Sequence, residues 1–132
     1  MSGERSLYLD SSALVKLVLT ERESGALRHV LASASFRVSC TLARVEVVRA
    51  VREKGPRVAT TARRVLEGVD LIELDNELLE LAADLPEPLR SLDAIHVAAA
   101  MELGDQLEAL VTYDATMARV AEALGLPVLA PA

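Results

Sequence analysis

Short apolar runs alternate with longer segments of helical spacing along almost the whole chain. Short runs bounded by polar residues predict strands, and apolar residues at positions i, i+3, i+4 and i+7 predict amphipathic helices. The predicted strands are Leu7–Leu9, Phe36–Ser39, Leu71–Leu74, Ala109–Thr112 and Val128–Leu129. The predicted helices are Ala13–Leu19, Glu23–Ala34, Leu42–Glu53, Arg57–Leu66, Asn76–Ala83, Leu92–Leu103 and Thr116–Leu124.

Glycine and proline residues support several of these boundaries. The stretch KGP at 54–56 separates two predicted helices, and LPEPL at 85–89 precedes the helix that begins at Leu92. Gly104 and Gly125 follow helical runs, where glycine commonly ends a helix. Strands that alternate with helices predict a parallel sheet covered by helices on both faces. In such sheets, ligands bind beyond the carboxyl ends of the strands, where the strand order reverses.

Four acidic residues occupy positions from which they can contribute to such a site. Asp10 follows the first predicted strand, Asp114 follows the fourth, and Asp93 lies at the start of a predicted helix. Glu46 lies inside the helix predicted over Leu42–Glu53, at the margin of its apolar face. Three of the four therefore lie at junctions where a doubly wound sheet gathers its ligands.

Each acid also has a purely structural explanation. Asp10 and Asp114 can cap the helices that follow them, for about 1 kcal/mol each. Asp93 can complement the helix dipole, and Glu46 can pair with Arg49 three residues further on. Taken singly, the three aspartates are better explained in this way, whereas the helical wheel does not decide for Glu46. The convergence of all four would indicate a site.

Convergence would have a large electrostatic cost. Two carboxylates about 5 Å apart repel by roughly 3 kcal/mol at an effective dielectric constant of 20. Four together would oppose folding by an amount comparable to the stability of a domain, about 5–15 kcal/mol. Such a cluster must be protonated or hold cations, and carboxylate oxygens favour Mg²⁺ or Mn²⁺.

Composition and charge narrow the class of protein. The length of 132 residues is consistent with a single domain spanning 1–132. Because 52% of the residues are hydrophobic and only 2% are aromatic, we expect a core of Leu, Val and Ala. The one cysteine, Cys40, excludes an internal disulfide and favours a reducing, cytoplasmic setting. Neither a secretory signal nor a membrane span is predicted, because Asp10 and Lys16 interrupt the first apolar run. A net charge of −6 means that contact with a nucleic acid requires a local basic patch or bound cations.

Four stretches resemble, in order, the motifs of PIN-domain ribonucleases, and most closely those of the VapC toxins of toxin–antitoxin pairs. They are YLDSSALVKL, TLARVEVVRAV, LRSLDAIHVAAAMEL and LVTYDATMARVAEALGLPVL. LDAIHVAAA is the most distinctive of these sequences, and the resemblance spans almost the whole chain.

The resemblance implies a three-layer α/β/α fold with a central parallel sheet of four to five strands in the order 3-2-1-4-5. It places the family's four catalytic and metal-binding acids on Asp10, Glu46, Asp93 and Asp114. Ser11, Ser12 and Thr112 match small hydroxyl positions that line the site of this family.

The implied reaction is Mg²⁺- or Mn²⁺-dependent hydrolysis of an RNA phosphodiester. One ion held by Asp10, Asp93 and Asp114 would activate water, and a second near Glu46 would stabilise the developing charge. The resemblance further implies a 5′-phosphate product, a homodimer and a cognate antitoxin. We expect the antitoxin to dock on the helix pair Leu42–Glu53 and Arg57–Leu66, through Val47 and Val51.

Several alternatives stay open at this stage. A PIN-like fold retained only for binding would be a non-catalytic interaction module. Arg44, Arg49 and Arg52 can contact RNA phosphates or form a solvated face with ion pairs to acids on the same helix. The RNA target is equally open, since scattered arginines do not encode it.

Two further side chains are expected to be structural. His96 lies among apolar neighbours and is interpreted as a packed residue, and Cys40 is interpreted as a small buried hydrophobe without a basic partner. Other α/β classes fail on their motifs: no P-loop is present, and the first strand is followed by Asp-Ser-Ser rather than by the paired acids of a receiver domain or haloacid dehalogenase.

Overall fold

Five parallel strands form one sheet in the computed structural model, which describes residues 4–132. The strands are β1 (Ser6–Leu9), β2 (Phe36–Cys40), β3 (Asp70–Ile72), β4 (Leu107–Val111) and β5 (Val128–Leu129). Their spatial order is β3-β2-β1-β4-β5, as predicted. The order reverses between β1 and β4, which pair directly, with Leu9 opposite Val111.

Seven α-helices connect the strands within residues 4–132. They are α1 (Ser11–Val18), α2 (Ser24–Leu31), α3 (Ala43–Val51), α4 (Pro56–Glu67), α5 (Asn76–Ala83), α6 (Ser91–Met101) and α7 (Ala115–Ala123). Short 3₁₀ turns follow α3 at Arg52–Lys54 and precede β4 at Gly104–Gln106. None of the helices found in residues 4–132 has the length and apolarity needed to cross a bilayer.

The helices divide between the two faces of the sheet, and each face has its own core. Helices α1 to α4 pack against one face, where Leu7, Leu9 and Val111 point. Helices α5 to α7 cover the other face, against Tyr8 and Leu110. Adjacent strand residues thus point to opposite cores, as expected for a sheet buried on both sides. The predicted three-layer fold is confirmed.

The predicted elements are all present, with boundaries shifted by a few residues. The largest strand shifts are in β3, which was predicted at Leu71–Leu74 and spans Asp70–Ile72, and in β4, which was predicted at Ala109–Thr112 and spans Leu107–Val111. The end of β3 is set by the end of its neighbour β2. Cys40, the last residue of β2, pairs with Ile72, and the last hydrogen bond between the two strands runs from the Thr41 N–H to the Ile72 carbonyl. Gly55, with φ 111°, and Pro56 form the predicted break before α4.

The predicted docking residues do not face solvent. Val47 and Val51 are fully buried in the core between α3 and the sheet. The expectation that they contact an antitoxin is therefore wrong, because the inner stripe of α3 is occupied by the protein's own core. The exposed large apolar residue of this helix is Val45, at 57%.

Candidate active site

Asp10 lies at the point where the strand order reverses. It continues the β1–β4 ladder by donating its N–H to the Val111 carbonyl at 3.2 Å. Its side chain accepts from the Ala13 N–H at 3.0 Å and so caps α1. The same carboxylate accepts from the hydroxyls of Ser12 and Thr112, both at 2.6 Å. Asp10 is thus a helix cap and also part of a network that links two neighbouring strands.

This network holds a buried carboxylate in one orientation. Asp10 is only 2% exposed. Burial raises the pKa of Asp10, and the bonds from Ser12, Thr112 and the Ala13 N–H offset part of that rise because they favour the charged form.

Thr112 connects Asp10 to Asp114. Its hydroxyl donates to Asp10 and accepts from the Asp114 N–H at 3.1 Å. Asp114 in turn caps α7, since its Oδ1 accepts from the Met117 N–H at 2.8 Å. One threonine therefore links the Asp10 carboxylate to the backbone N–H of Asp114, because β1 and β4 are adjacent.

Asp93 is brought to the same place by α6. It lies in the first turn of that helix and is half-buried. Burial raises the pKa of Asp93, and so does repulsion from Asp114, Asp10 and Glu46. All four predicted acids therefore share one electrostatic environment.

Glu46 is held by side chains from two other helices, α1 and α6. The Ser11 hydroxyl donates to its Oε1, and His96 Nε2 lies 2.7 Å from the same oxygen. Burial by itself would raise the pKa of Glu46, but the bonds to His96 and Ser11 outweigh it and lower the pKa. Glu46 pairs with these residues rather than with Arg49, the partner suggested by sequence spacing.

His96 is the residue that sequence reasoning missed. It is packed as predicted, at 1% exposed, but it also carries a polar network. Its Nδ1 lies 2.8 Å from the Tyr8 hydroxyl and 3.8 Å from Cys40 Sγ, while Nε2 faces Glu46. Burial disfavours the charged ring, but the Cys40 and Glu46 contacts raise the pKa of His96 to about 10.

The interpretation of Cys40 changes with it. Cys40 is buried, as expected, but the prediction that it has no basic partner is wrong. Burial opposes the thiolate, yet contact with His96 lowers the pKa of the thiol. The sequence feature that could have placed His96 in the site is its position three residues after Asp93, on nearly the same side of α6.

The donor chemistry of the cluster fits a hard divalent cation. Asp10, Asp93, Asp114 and Glu46 provide carboxylate oxygens, the ligands that Mg²⁺ and Mn²⁺ prefer. Burial and repulsion from the other acids both raise the pKa of Asp93, and a bound cation would oppose both effects. Within residues 4–132, no three His, Cys, Asp or Glu side chains are already arranged to hold one ion.

Comparisons with known proteins show similarity over most of the chain. The model of the PIN domain family matches residues 7–123. Over 127 residues the chain is 49% identical to a protein named Ribonuclease VapC46 of Mycobacterium tuberculosis. This alignment covers 96% of the present chain and 98% of the relative. The chain is 43% identical over 130 residues to Ribonuclease VapC35 of the same species, in an alignment that covers 95% of this chain and 96% of the relative.

A solved structure matches the fold. The crystal structure of Mycobacterium tuberculosis VapC20, described as a toxin that cleaves the sarcin–ricin loop, aligns with a TM-score of 0.75. The alignment covers 95% of this chain and 99% of that one at 18% identity, so the likeness concerns the fold.

Proposed function

Because this chain belongs to the PIN-domain family, we propose that it is a metal-dependent endoribonuclease of the VapC type and the toxin of a toxin–antitoxin pair. The observation that carries the proposal is the placement of Asp10 where β1 and β4 pair, with Thr112 linking its carboxylate to the Asp114 N–H and the neighbouring Ser11 donating to Glu46. Relatives at 49% and 43% identity that are named ribonucleases support the same activity.

We assign Asp10, Asp93, Asp114 and Glu46 as the residues that would hold Mg²⁺ or Mn²⁺. A bound ion would supply Lewis-acid activation of water and neutralise charge on the scissile phosphate. Ser12 and Thr112 keep the Asp10 carboxylate oriented, since each donates to one of its oxygens. Ser11 and His96 hold Glu46 ionised at neutral pH, because their bonds lower its pKa.

The proposed partners are RNA, a cognate antitoxin and a second copy of the chain in a homodimer, all in the cytoplasm. For the antitoxin, the exposed residues Val45 and Leu92 replace Val47 and Val51 as proposed contacts. They line one depression together with Ser11 and Glu46, so a segment seated there would cover Glu46. Val45→Ser should weaken antitoxin binding with an unchanged melting temperature, and unchanged affinity would exclude this surface.

The test of activity is cleavage of a structured RNA with Mg²⁺ or Mn²⁺, with EDTA as the blank. Asp10→Asn and Asp93→Asn should abolish cleavage, whereas Asp105→Asn, which removes an exposed acid beside the start of β4, should cleave as the wild type does. Equal cleavage by all variants would indicate a contaminating nuclease. A folded wild type that binds Mn²⁺ but cleaves no RNA would instead favour the non-catalytic interaction module.

A further inference from the structure

Charge is divided very unevenly along this acidic chain. Residues 22–67 contain ten Lys and Arg residues against four Asp and Glu, whereas residues 68–132 contain two Arg residues against thirteen Asp and Glu. The first segment forms α2 to α4, which cover one face of the sheet, and the second forms α5 to α7, which cover the other. A protein of net charge −6 therefore has one basic side and one acidic side.

Six exposed arginines surround α4, and we call them the α4 arginine surface. They line three depressions: one contains Arg44 and Arg63, a second Arg57 and Arg64, and a third Arg28, Arg37 and Arg64. Glu67 is the one acidic residue among the residues that line these three depressions.

These guanidinium groups are not neutralised by the protein itself. In residues 4–132, the ion pairs within 4.0 Å involve Lys16 and His96, and none of the six arginines takes part. A single exposed arginine requires no explanation, but six around one helix repel one another unless an anion lies between them. The arrangement is therefore suited to an external polyanion.

The α4 arginine surface lies outside the candidate active site. Arg44 lies on α3 two residues before Glu46, so the two side chains point to different sides of the helix and line different depressions. Arg49, on the same helix, lines one depression with Ser11 and Glu46 and is the arginine beside the acids. The depression formed by Arg28, Arg37 and Arg64 also contains Gly68, which precedes β3, so it lies toward the starts of the strands. An RNA strand with its scissile phosphate at the acids would have to extend beyond the site to reach this surface.

We propose that the α4 arginine surface anchors the phosphate backbone of an RNA strand outside the acidic site, an inference that rests on the proposed function. Four carboxylates repel a phosphodiester, and the overall charge repels it as well. The basic side of the molecule offsets both effects by counterion release, which depends on contacts to phosphates and not on sequence. An acidic protein, including the acidic side of a second copy, is the competing occupant.

The first experiment measures binding without cleavage. The probe is a fluorescein-labelled single-stranded RNA of twenty nucleotides in EDTA, and fluorescence anisotropy gives the Kd from 0.05 to 0.3 M KCl. Each lost phosphate contact should lower the slope of log K against log salt by about 0.7. Arg28→Ala/Arg64→Ala should therefore reduce the slope by about 1.4 and raise the Kd about 25-fold at 0.1 M salt.

The matched control is Arg22→Ala/Arg119→Ala. Both arginines are exposed and line none of the three depressions, and the variant loses the same charge. It should leave the slope unchanged. Equal slopes for the wild type and Arg28→Ala/Arg64→Ala would overturn the proposal, as would an equal loss in the control, since net charge alone would then explain the effect.

The second experiment separates this proposal from the proposed function. With Mn²⁺, Arg28→Ala/Arg64→Ala should raise the KM for a thirty-nucleotide RNA but leave kcat/KM for a tetranucleotide unchanged. If the wild type cleaves neither RNA while the binding loss is found, the nuclease function fails and the RNA-binding surface stands. If sedimentation velocity shows that the variant loses self-association with RNA affinity unchanged, the surface belongs to a protein contact and the proposal is overturned.

Discussion

Neutralising Asp93 should stabilise the protein without metal and destabilise it with metal. The Asp93 carboxylate is half-buried and is repelled by Asp114, Asp10 and Glu46. Solvent screens such pairs to a few tenths of a kcal/mol each, so relief from three of them amounts to about 1 kcal/mol. For 132 residues, an unfolding entropy of about 2.1 cal/mol/K per residue converts this into a rise of about 4 °C in Tm.

The pH dependence of this effect has a definite sign. The pKa of Asp93 is raised above its ordinary value of 3.8, so the ionised form destabilises the folded state at neutral pH. As the pH falls through the raised pKa, the folded wild type takes up a proton and the penalty disappears. The Tm advantage of Asp93→Asn should therefore be full at pH 7 and vanish as the pH approaches 3.8.

The assay is thermal unfolding followed by circular dichroism, in EDTA and in Mn²⁺. A ligand at 100 times its Kd stabilises by about 2.7 kcal/mol, so the wild type should melt about 10 °C higher in Mn²⁺. Asp93→Asn should lose most of that gain, which inverts the order of the two proteins. Asp105→Asn, at the opposite end of β4, serves as the control in both conditions. A lower Tm for Asp93→Asn in EDTA at pH 7 would show that attraction holds this carboxylate, and the repulsion argument would be refuted.

Three further predictions concern stability. Thr112→Val removes a hydroxyl that donates at 2.6 Å to a buried carboxylate, so the free energy of unfolding should fall by about 1.5–3 kcal/mol in urea while Thr112→Ser retains most of it. Because the pKa of His96 is raised to about 10, the free energy of unfolding of the wild type should decrease as the pH rises from 6.5 toward 10. Glu46→Gln removes the partner of His96 and should make this decrease smaller. An equal decrease in both proteins would exclude this ion pair as its source. Gly55→Ala places a side chain at φ 111° and should lower the free energy of unfolding by about 1–2 kcal/mol. Gly25→Ala in α2, where no neighbouring atom lies within 4 Å of the added Cβ, should be neutral or stabilising by up to about 1 kcal/mol. Equal Tm values for the two variants would contradict backbone strain at Gly55.

Much of the fold was predictable because its signals are local. Apolar periodicity identified every strand and helix, since each element must turn an apolar face toward a core. The strand order came from the resemblance of four motifs and not from periodicity, because pairing between distant strands leaves no mark on local sequence. The positions of Asp10, Asp93 and Asp114 at element junctions pointed to the carboxyl end of the sheet.

The environment of Glu46 was not predictable from the sequence. A helical wheel places it at the edge of an apolar face but cannot identify what lies opposite, and the nearest charge in sequence is Arg49. Its partner is His96, fifty residues away, because α6 packs beside the end of β2. The same packing brings Cys40 to the ring.

The sequence by itself determined the class of fold, the order of its elements and the residue types able to bind a hard cation. Only the tertiary structure decided that Thr112 joins two acids, that Val47 and Val51 are buried, and that the arginines of three helices and one strand gather around α4. The physical reason is range: propensity, periodicity and capping act over a few residues, whereas hydrogen bonds, burial and charge repulsion act between atoms whose proximity is set by strand pairing and helix packing.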